Sequence, residues 1–261
     1  MIDLRRSRSL LTGGIAVGLL LLGGALAARA DGPRPYAVGV SDLQGGTDWT
    51  GFYLGGQLGG AWSTIDWTQV NANYFNTLGP TVVGNTSGFD AGGVEGGILG
   101  GYNHQIGHLV LGLELAATAT DLSQTRVSPF FPTLDRFSTE VNWLATVAGR
   151  VGYAWDRWLV YGRGGWTGGD VELTLRDVTN GTTASKDTWA NGWTLGAGTE
   201  YMLWHGVALG LAYDYVELNL DGETVACPTC GAGVGFGTPV IDADYRIQSV
   251  SARLSVFLPH Q

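Results

Sequence analysis

From residue 49 onward, apolar side chains recur at every second position in stretches of roughly ten residues, with polar loops between them. Phe52, Leu54, Leu58 and Trp62 share one parity, with Tyr53 and Gln57 on the other. Leu109, Leu111, Leu113, Leu115 and Ala117 alternate with Val110, Gly112, Glu114, Ala116 and Thr118. Trp193, Leu195, Ala197, Tyr201 and Leu203 repeat the scheme, as do Val250, Ala252, Leu254, Val256 and Leu258. A period of two belongs to strands, whose side chains point alternately to opposite faces. Eight such segments are read, at 50–62, 93–105, 109–120, 140–153, 158–169, 190–203, 207–218 and 245–258. After residue 30 no apolar run is long enough for a helical span. Short links near Ile106–His108, Ala154–Arg157 and Trp204–Gly206 alternate with long ones at 63–92, 121–139, 170–189 and 219–244. An even number of strands with short turns at one end and long loops at the other predicts an all-β chain. Its fold is an eight-stranded antiparallel up-and-down transmembrane β-barrel, with periplasmic turns and surface loops.

The aromatics support a membrane over water as the solvent. Phe52, Tyr102, Tyr153, Trp155, Trp158, Tyr201 and Trp204 fall near the short-turn end. Trp62, Trp143, Trp166, Trp189, Trp193, Tyr213, Tyr215 and Tyr245 fall near the long-loop end. Two girdles are what a bilayer with two interfaces selects. A soluble barrel with its apolar face inward also alternates, but it gives no reason for aromatics at both strand ends. With lipid outside, the second parity lines the lumen. Glu95, Glu114, Glu200 and Asp214 lie on it with Arg150, Arg163 and Arg253. Eight strands leave an interior just wide enough for side chains, so these charges are expected to pair and fill the lumen. A narrow charged pore is the alternative. The stretch "GFYLGGQLGG" has the four-residue glycine spacing of a membrane-helix contact. Asp48 and Asp66 bracket it too closely for a helical span, and period two places Gly56 and Gly60 toward lipid and Gly55 and Gly59 toward the lumen.

The first thirty residues have a separate logic. Arg5, Arg6 and Arg8 precede an uncharged apolar run from Leu10 to Leu26, and Ala28-Arg29-Ala30 is a small-x-small cleavage site. Residues 1–30 therefore read as a signal peptide cut after Ala30, residues 31–48 as a linker and 49–261 as the barrel domain. The leader carries Arg5, Arg6, Arg8 and Arg29 against Asp3, so the net charge of −9 becomes −12 once it is removed. Lys186 is the only lysine. Such a chain is a poor binder of polyanions, and no nucleic-acid partner is expected. Cys227 and Cys230, in "CPTC", are expected to form a loop disulfide in an exported protein. Two thiols alone do not complete a zinc site, and Asp221, Glu223, Asp242 and Asp244 beside them read as a solvated acidic surface. No cofactor is called for.

"DWTGFYLGGQLGGAW", "GGYNHQ", "VLGLE", "GRVGYAWDRWLVYGRGGW" and "GWTLGAGTEYML" together resemble the small eight-stranded outer-membrane immunogenic proteins of alphaproteobacteria. These are themselves similar to the opacity and outer-membrane protein A-type barrels. The resemblance covers most of 49–258 and implies a structural, surface-exposed protein of the outer membrane. Its partners would be membrane lipids, lipopolysaccharide, the barrel-assembly machinery and, through four loops, a host or cell-surface ligand. Passive diffusion of small solutes is the alternative; haem binding and lipid A modification are less favoured. The last would need a histidine near the outer leaflet, whereas His104, His108, His205 and His260 all fall toward the short-turn end. Chains of that family usually end in a strand whose last residue is aromatic; this one ends "VFLPHQ", with Phe257 on the lumen parity of Arg253.

Overall fold

A computed structural model describes residues 47–71, 86–127, 135–178, 181–228, 230 and 238–258. The expected signal peptide with its cut at Ala30, His260 and all of the linker except its last two residues lie outside them. Eight strands follow one another in chain order: β1 Gly51–Asn71, β2 Thr86–Ile106, β3 Leu109–Val127 and β4 Asp135–Trp155, then β5 Trp158–Asp177, β6 Thr183–Trp204, β7 Val207–Thr224 and β8 Val240–Phe257. Each pairs antiparallel with its neighbour, and β8 pairs back onto β1 through a register running from Tyr53↔Phe257 to Asn71↔Val240. Closure leaves no free strand edge, so every backbone donor has a neighbouring strand to bond even in hydrocarbon.

Two-residue turns, Gly107–His108, Asp156–Arg157 and His205–Gly206, join β2 to β3, β4 to β5 and β6 to β7. Gly107 (φ 62°), Asp156 (φ 51°) and Gly206 (φ 79°) take the left-handed conformation that reverses a strand tightly. Asp is among the few side chains that tolerate it.

All eight predicted segments are strands, but each runs past its expected long-loop boundary. β1 reaches Asn71 where 62 was expected, β5 reaches Asp177 where 169 was expected, and β8 begins at Val240 where 245 was expected. The links expected at 63–92 and 170–189 shrink accordingly. The reason is an exchange of solvent along the strand. Up to the long-loop girdle the outward residues are apolar: Leu54, Leu58 and Leu195 are 60–70% exposed on a surface that only hydrocarbon can cover. Beyond it the same outward parity carries Thr64, Asp66 and Thr68 on β1, and Asp170, Glu172 and Thr174 on β5. The inward parity becomes apolar at the same level, with Ile65, Trp67, Val171, Leu173, Leu175, Leu218 and Ile241 buried together. A search for lipid-facing alternation therefore stops at the girdle although the strand does not.

Strands of 18–22 residues, tilted at about 40°, rise roughly 50 Å along the barrel axis, twice the ~25 Å apolar band of such proteins. Half of each strand thus stands outside hydrocarbon. One predicted girdle member is corrected by this geometry: Tyr245 is fully buried and donates to or accepts from Thr139 at 2.8 Å inside the outer core. The remaining girdle aromatics point outward.

Leu58→Arg is expected to cost roughly 2–4 kcal/mol in unfolding from lipid vesicles, while Thr68→Arg changes stability little. Leu173→Ala, which empties part of the outer core, is expected to cost about 2–5 kcal/mol. Denaturant titration followed by tryptophan fluorescence distinguishes the three.

Candidate functional site in the barrel lumen

Every strand sends at least one polar group to the centre of the barrel at the depth of the apolar band. Tyr53 comes from β1, Glu95 from β2, Glu114 from β3, Arg150 from β4, Tyr161 and Arg163 from β5, Glu200 from β6, Asp214 from β7 and Arg253 from β8. Arg253 lies between Ala252 and Leu254, both of which face outward. On the lipid face a charge at that depth costs a few kcal/mol; inside it finds partners.

Glu114 is the meeting point. Its Oε2 accepts from Arg253 Nη2 at 2.5 Å and from Tyr53 Oη at 2.8 Å, with Arg150 Nη1 at 3.5 Å, while its Oε1 accepts from Arg163 Nη1. Each arginine then reaches a second partner. Arg163 grips Asp214 with two parallel bonds, Nε to Oδ1 at 2.7 Å and Nη2 to Oδ2 at 2.5 Å, the fork geometry that makes guanidinium–carboxylate pairs strong. Arg150 donates through Nη2 to Glu200 at 3.0 Å and through Nη1 to Tyr53 at 3.1 Å. Arg253 donates through Nη1 to Tyr161 at 2.9 Å. The Arg150 guanidinium also lies 3.8 Å from the Tyr161 ring centroid, a cation over an aromatic face. Six of the seven predicted lumen charges form this knot. Glu95 stands to one side, lining a cavity of about 30 Å³ with Arg163, Asp214 and Ser249. That volume holds little more than a water molecule or two.

Glycine makes the knot sterically feasible. A Cβ on Gly196 would lie 2.1 Å from Asp214 Oδ1, and one on Gly210 would lie 2.7 Å from Glu200 Cγ. The lumen glycines of β1 have another cause: a Cβ on Gly59 would come 2.2 Å from the Val250 carbonyl oxygen, because neighbouring backbones approach closely in so small a barrel.

Apolar clusters flank the polar tier toward both ends. Toward the short turns, Trp49, Val110, Leu159, Met202 and Ala208 pack together, and Phe257 joins them at 5.6 Å from Trp49 and 5.3 Å from Tyr53. Toward the long loops, a rung of hydroxyls and amides, including Gln57 donating to Thr118 at 2.9 Å, leads into the outer core. Cys227 and Cys230 are joined by a disulfide, and Cys230 is buried in that core. Among the described residues no group of three His, Cys, Asp or Glu could hold a metal ion.

Tyr53 and Tyr161 are the members of the knot that reading charges along the sequence misses. Their lumen parity was the available signal; the Tyr53 hydroxyl bridges Arg150 and Glu114, and the Tyr161 hydroxyl accepts from Arg253.

Over residues 17–252 the chain matches the family model described as the outer membrane protein beta-barrel domain. This chain belongs to that family. The β-barrel family member is 32% identical over 182 residues to the 31 kDa outer-membrane immunogenic proteins of Brucella melitensis and Brucella suis, covering 66% of this chain and 72% of theirs. It is 28% identical over 171 residues to a 22 kDa outer membrane protein of Rhizobium leguminosarum, covering 65% and 64% of the two chains. Among solved structures, the outer membrane protease OmpT of Escherichia coli superposes with a TM-score of 0.51 at 8% identity, over 80% of this chain and 97% of that one. This likeness is one of fold. The protein is an outer-membrane β-barrel located in the outer membrane.

Glu114→Gln, which leaves three buried guanidiniums short of their shared carboxylate, is expected to destabilise the barrel by roughly 3–5 kcal/mol, and Arg150→Leu by a similar amount. Arg176→Leu, on the exposed end of β5, should change little. Loss of heat-resistant migration on gels, followed by denaturant midpoints, ranks the three.

Proposed function

We propose that this chain serves as a structural, surface-exposed barrel of the outer membrane. Its lumen is closed to solutes, and its long-loop half is presented for recognition. One observation carries this reading. Among the described residues, apolar clusters flank the polar tier at both ends, and the cavity beside Glu95 is about 30 Å³, too little for a continuous file of water. A diffusing solute would have to part Arg163 from Asp214 and Arg150 from Glu200 without water to replace their bonds.

The relatives' names, outer-membrane immunogenic protein, fit a chain whose outer half stands in water above the bilayer. A catalytic role has little support in the side chains. His104, His108 and His205 are exposed at the short-turn end, at the opposite end of the barrel from the water-exposed carboxylates of the outer half. His108 Nδ1 is engaged with the Ala154 carbonyl oxygen at 2.9 Å.

In a planar bilayer the refolded chain is expected to produce no discrete conductance steps, even at high protein load. Reproducible steps from correctly folded barrels would overturn the closed-lumen reading in favour of a narrow pore.

A further inference from the structure

The lipid-facing surface differs around the barrel. On β4–β6 the outer girdle condenses into an aromatic patch. Trp143 and Trp189 both stand in register with Asp170. Their rings meet at 5.0 Å, and Trp166 lies 6.4 Å from Trp189 at a near-parallel 26°. Trp189 lies flat over Gly168, where a Cβ would come 2.6 Å from the indole. All three rings stay exposed.

Just beyond the patch, two residues and about 7 Å further along β5 from Asp170, comes a row of carboxylates. Glu140 is in register with Glu172, and Glu172 with Asp187. Like charges set directly opposite weaken a sheet, and this row places three side by side. The next outward cations on these strands are Arg136 and Arg176, four residues nearer the loops than Glu140 and Glu172. On the β8–β1 side, by contrast, Arg246 pairs with Asp66 at 3.2 Å. The girdle fixes the depth of this feature, since Trp marks the level where hydrocarbon gives way to headgroups. Among the described residues no cation pairs with this row, so an aromatic wall and an anionic row adjoin at headgroup level, continuous with the lipid contact of the apolar band.

We propose that the outward face of β4–β6 docks the amine-bearing saccharide headgroup of an outer-leaflet glycolipid. The sugar's apolar face lies on Trp143 and Trp189, and its ammonium meets Glu140, Glu172 and Asp187. Each half of the surface selects one half of the ligand. Indoles at the interface present an apolar face with a polar rim, which suits a sugar ring better than an acyl chain. Carboxylates attract an ammonium and repel a phosphate of their own sign. This proposal rests on the outer-membrane location and is independent of whether the lumen conducts.

The test is native mass spectrometry of the mature protein in detergent micelles with two probes. One is lipid A whose phosphates carry an aminopentose, the other unsubstituted diphosphoryl lipid A, each with and without EDTA. The aminopentose-bearing lipid is expected to be retained about tenfold better, independently of EDTA. That preference should vanish in Glu172→Gln/Asp187→Asn and in Trp189→Ala. The first variant relieves like-charge repulsion, so heat-resistant gel migration should show it still folded. Equal retention of both lipids, or a preference that survives the Glu172→Gln/Asp187→Asn change, would overturn the proposal. So would retention of the unsubstituted lipid that EDTA abolishes, because a divalent cation would then be the true counter-charge.

Discussion

Glu114 holds the guanidinium groups of Arg150, Arg163 and Arg253 around one carboxylate, at a depth where the surrounding membrane provides no water. Much of the barrel's construction follows from keeping that arrangement satisfied. The three arginines arrive from three different strands, and their second partners, Glu200, Asp214 and Tyr161, come from β6, β7 and β5. The strands are thus bonded through the lumen as well as around the wall. A barrel of this size has no apolar core at bilayer depth to give it a unique register, since its apolar face is turned to lipid. The bidentate Arg163–Asp214 pair and the shared Glu114 supply that specification, because a one-residue slip of any contributing strand would turn its charge into hydrocarbon. Networks of this kind tolerate no missing member, which also explains the glycines beside Asp214 and Glu200.

The outer half solves the opposite problem. There the wall faces water, so the polar residues move outside and the lumen takes the apolar ones. Ile65, Trp67, Leu173, Leu218 and Ile241 form an ordinary hydrophobic core, held by the same mechanism that folds soluble proteins. One set of strands therefore carries two inside-out arrangements end to end, joined near the tryptophan girdle. Phase is kept on β1 and β5 by strict alternation. On β4 it is adjusted by an extra residue at Asn142, where the pairing with β5 shifts between Val141 and Trp143. That bulge lets inward Thr139 and Val141 and inward Leu144 and Ala148 sit on one wall although their parities differ.

The sequence was most legible where a single rule governed both faces. Period two with apolar residues outward located all eight strands, the three short turns and the parity of every charge in the lumen. It failed where the rule inverted: the outward Asp66 and Glu172 read as loop residues, and the inward Tyr245 read as a girdle aromatic. The information was present in the sequence, since Ile65 and Trp67 continue the parity of Tyr53 and Gln57. Recognising it required allowing the solvent outside the strand to change partway along. Tyr53 and Tyr161 were missed for a different reason. Their role depends on hydroxyls meeting charges from strands distant in sequence, such as Tyr161 with Arg253, 92 residues away, and no local pattern encodes that meeting.

These two arrangements divide the protein's labour. The knot at bilayer depth cross-links the strands and is flanked by apolar clusters, which on the proposed reading makes rigidity its contribution. The chemistry available to partners lies on surfaces that lipid headgroups or water can reach. On the outer half those surfaces are held by a packed core, with Cys230 of the loop disulfide buried in it. A recognition surface mounted on such a core keeps its shape without a bound partner, which lowers the ordering cost of binding. The same rigidity explains how three carboxylates in register are tolerated on β4–β6. Their mutual repulsion acts against strands fixed from within by Val141, Val171, Leu173 and Ala190, so the strands do not splay to relieve it.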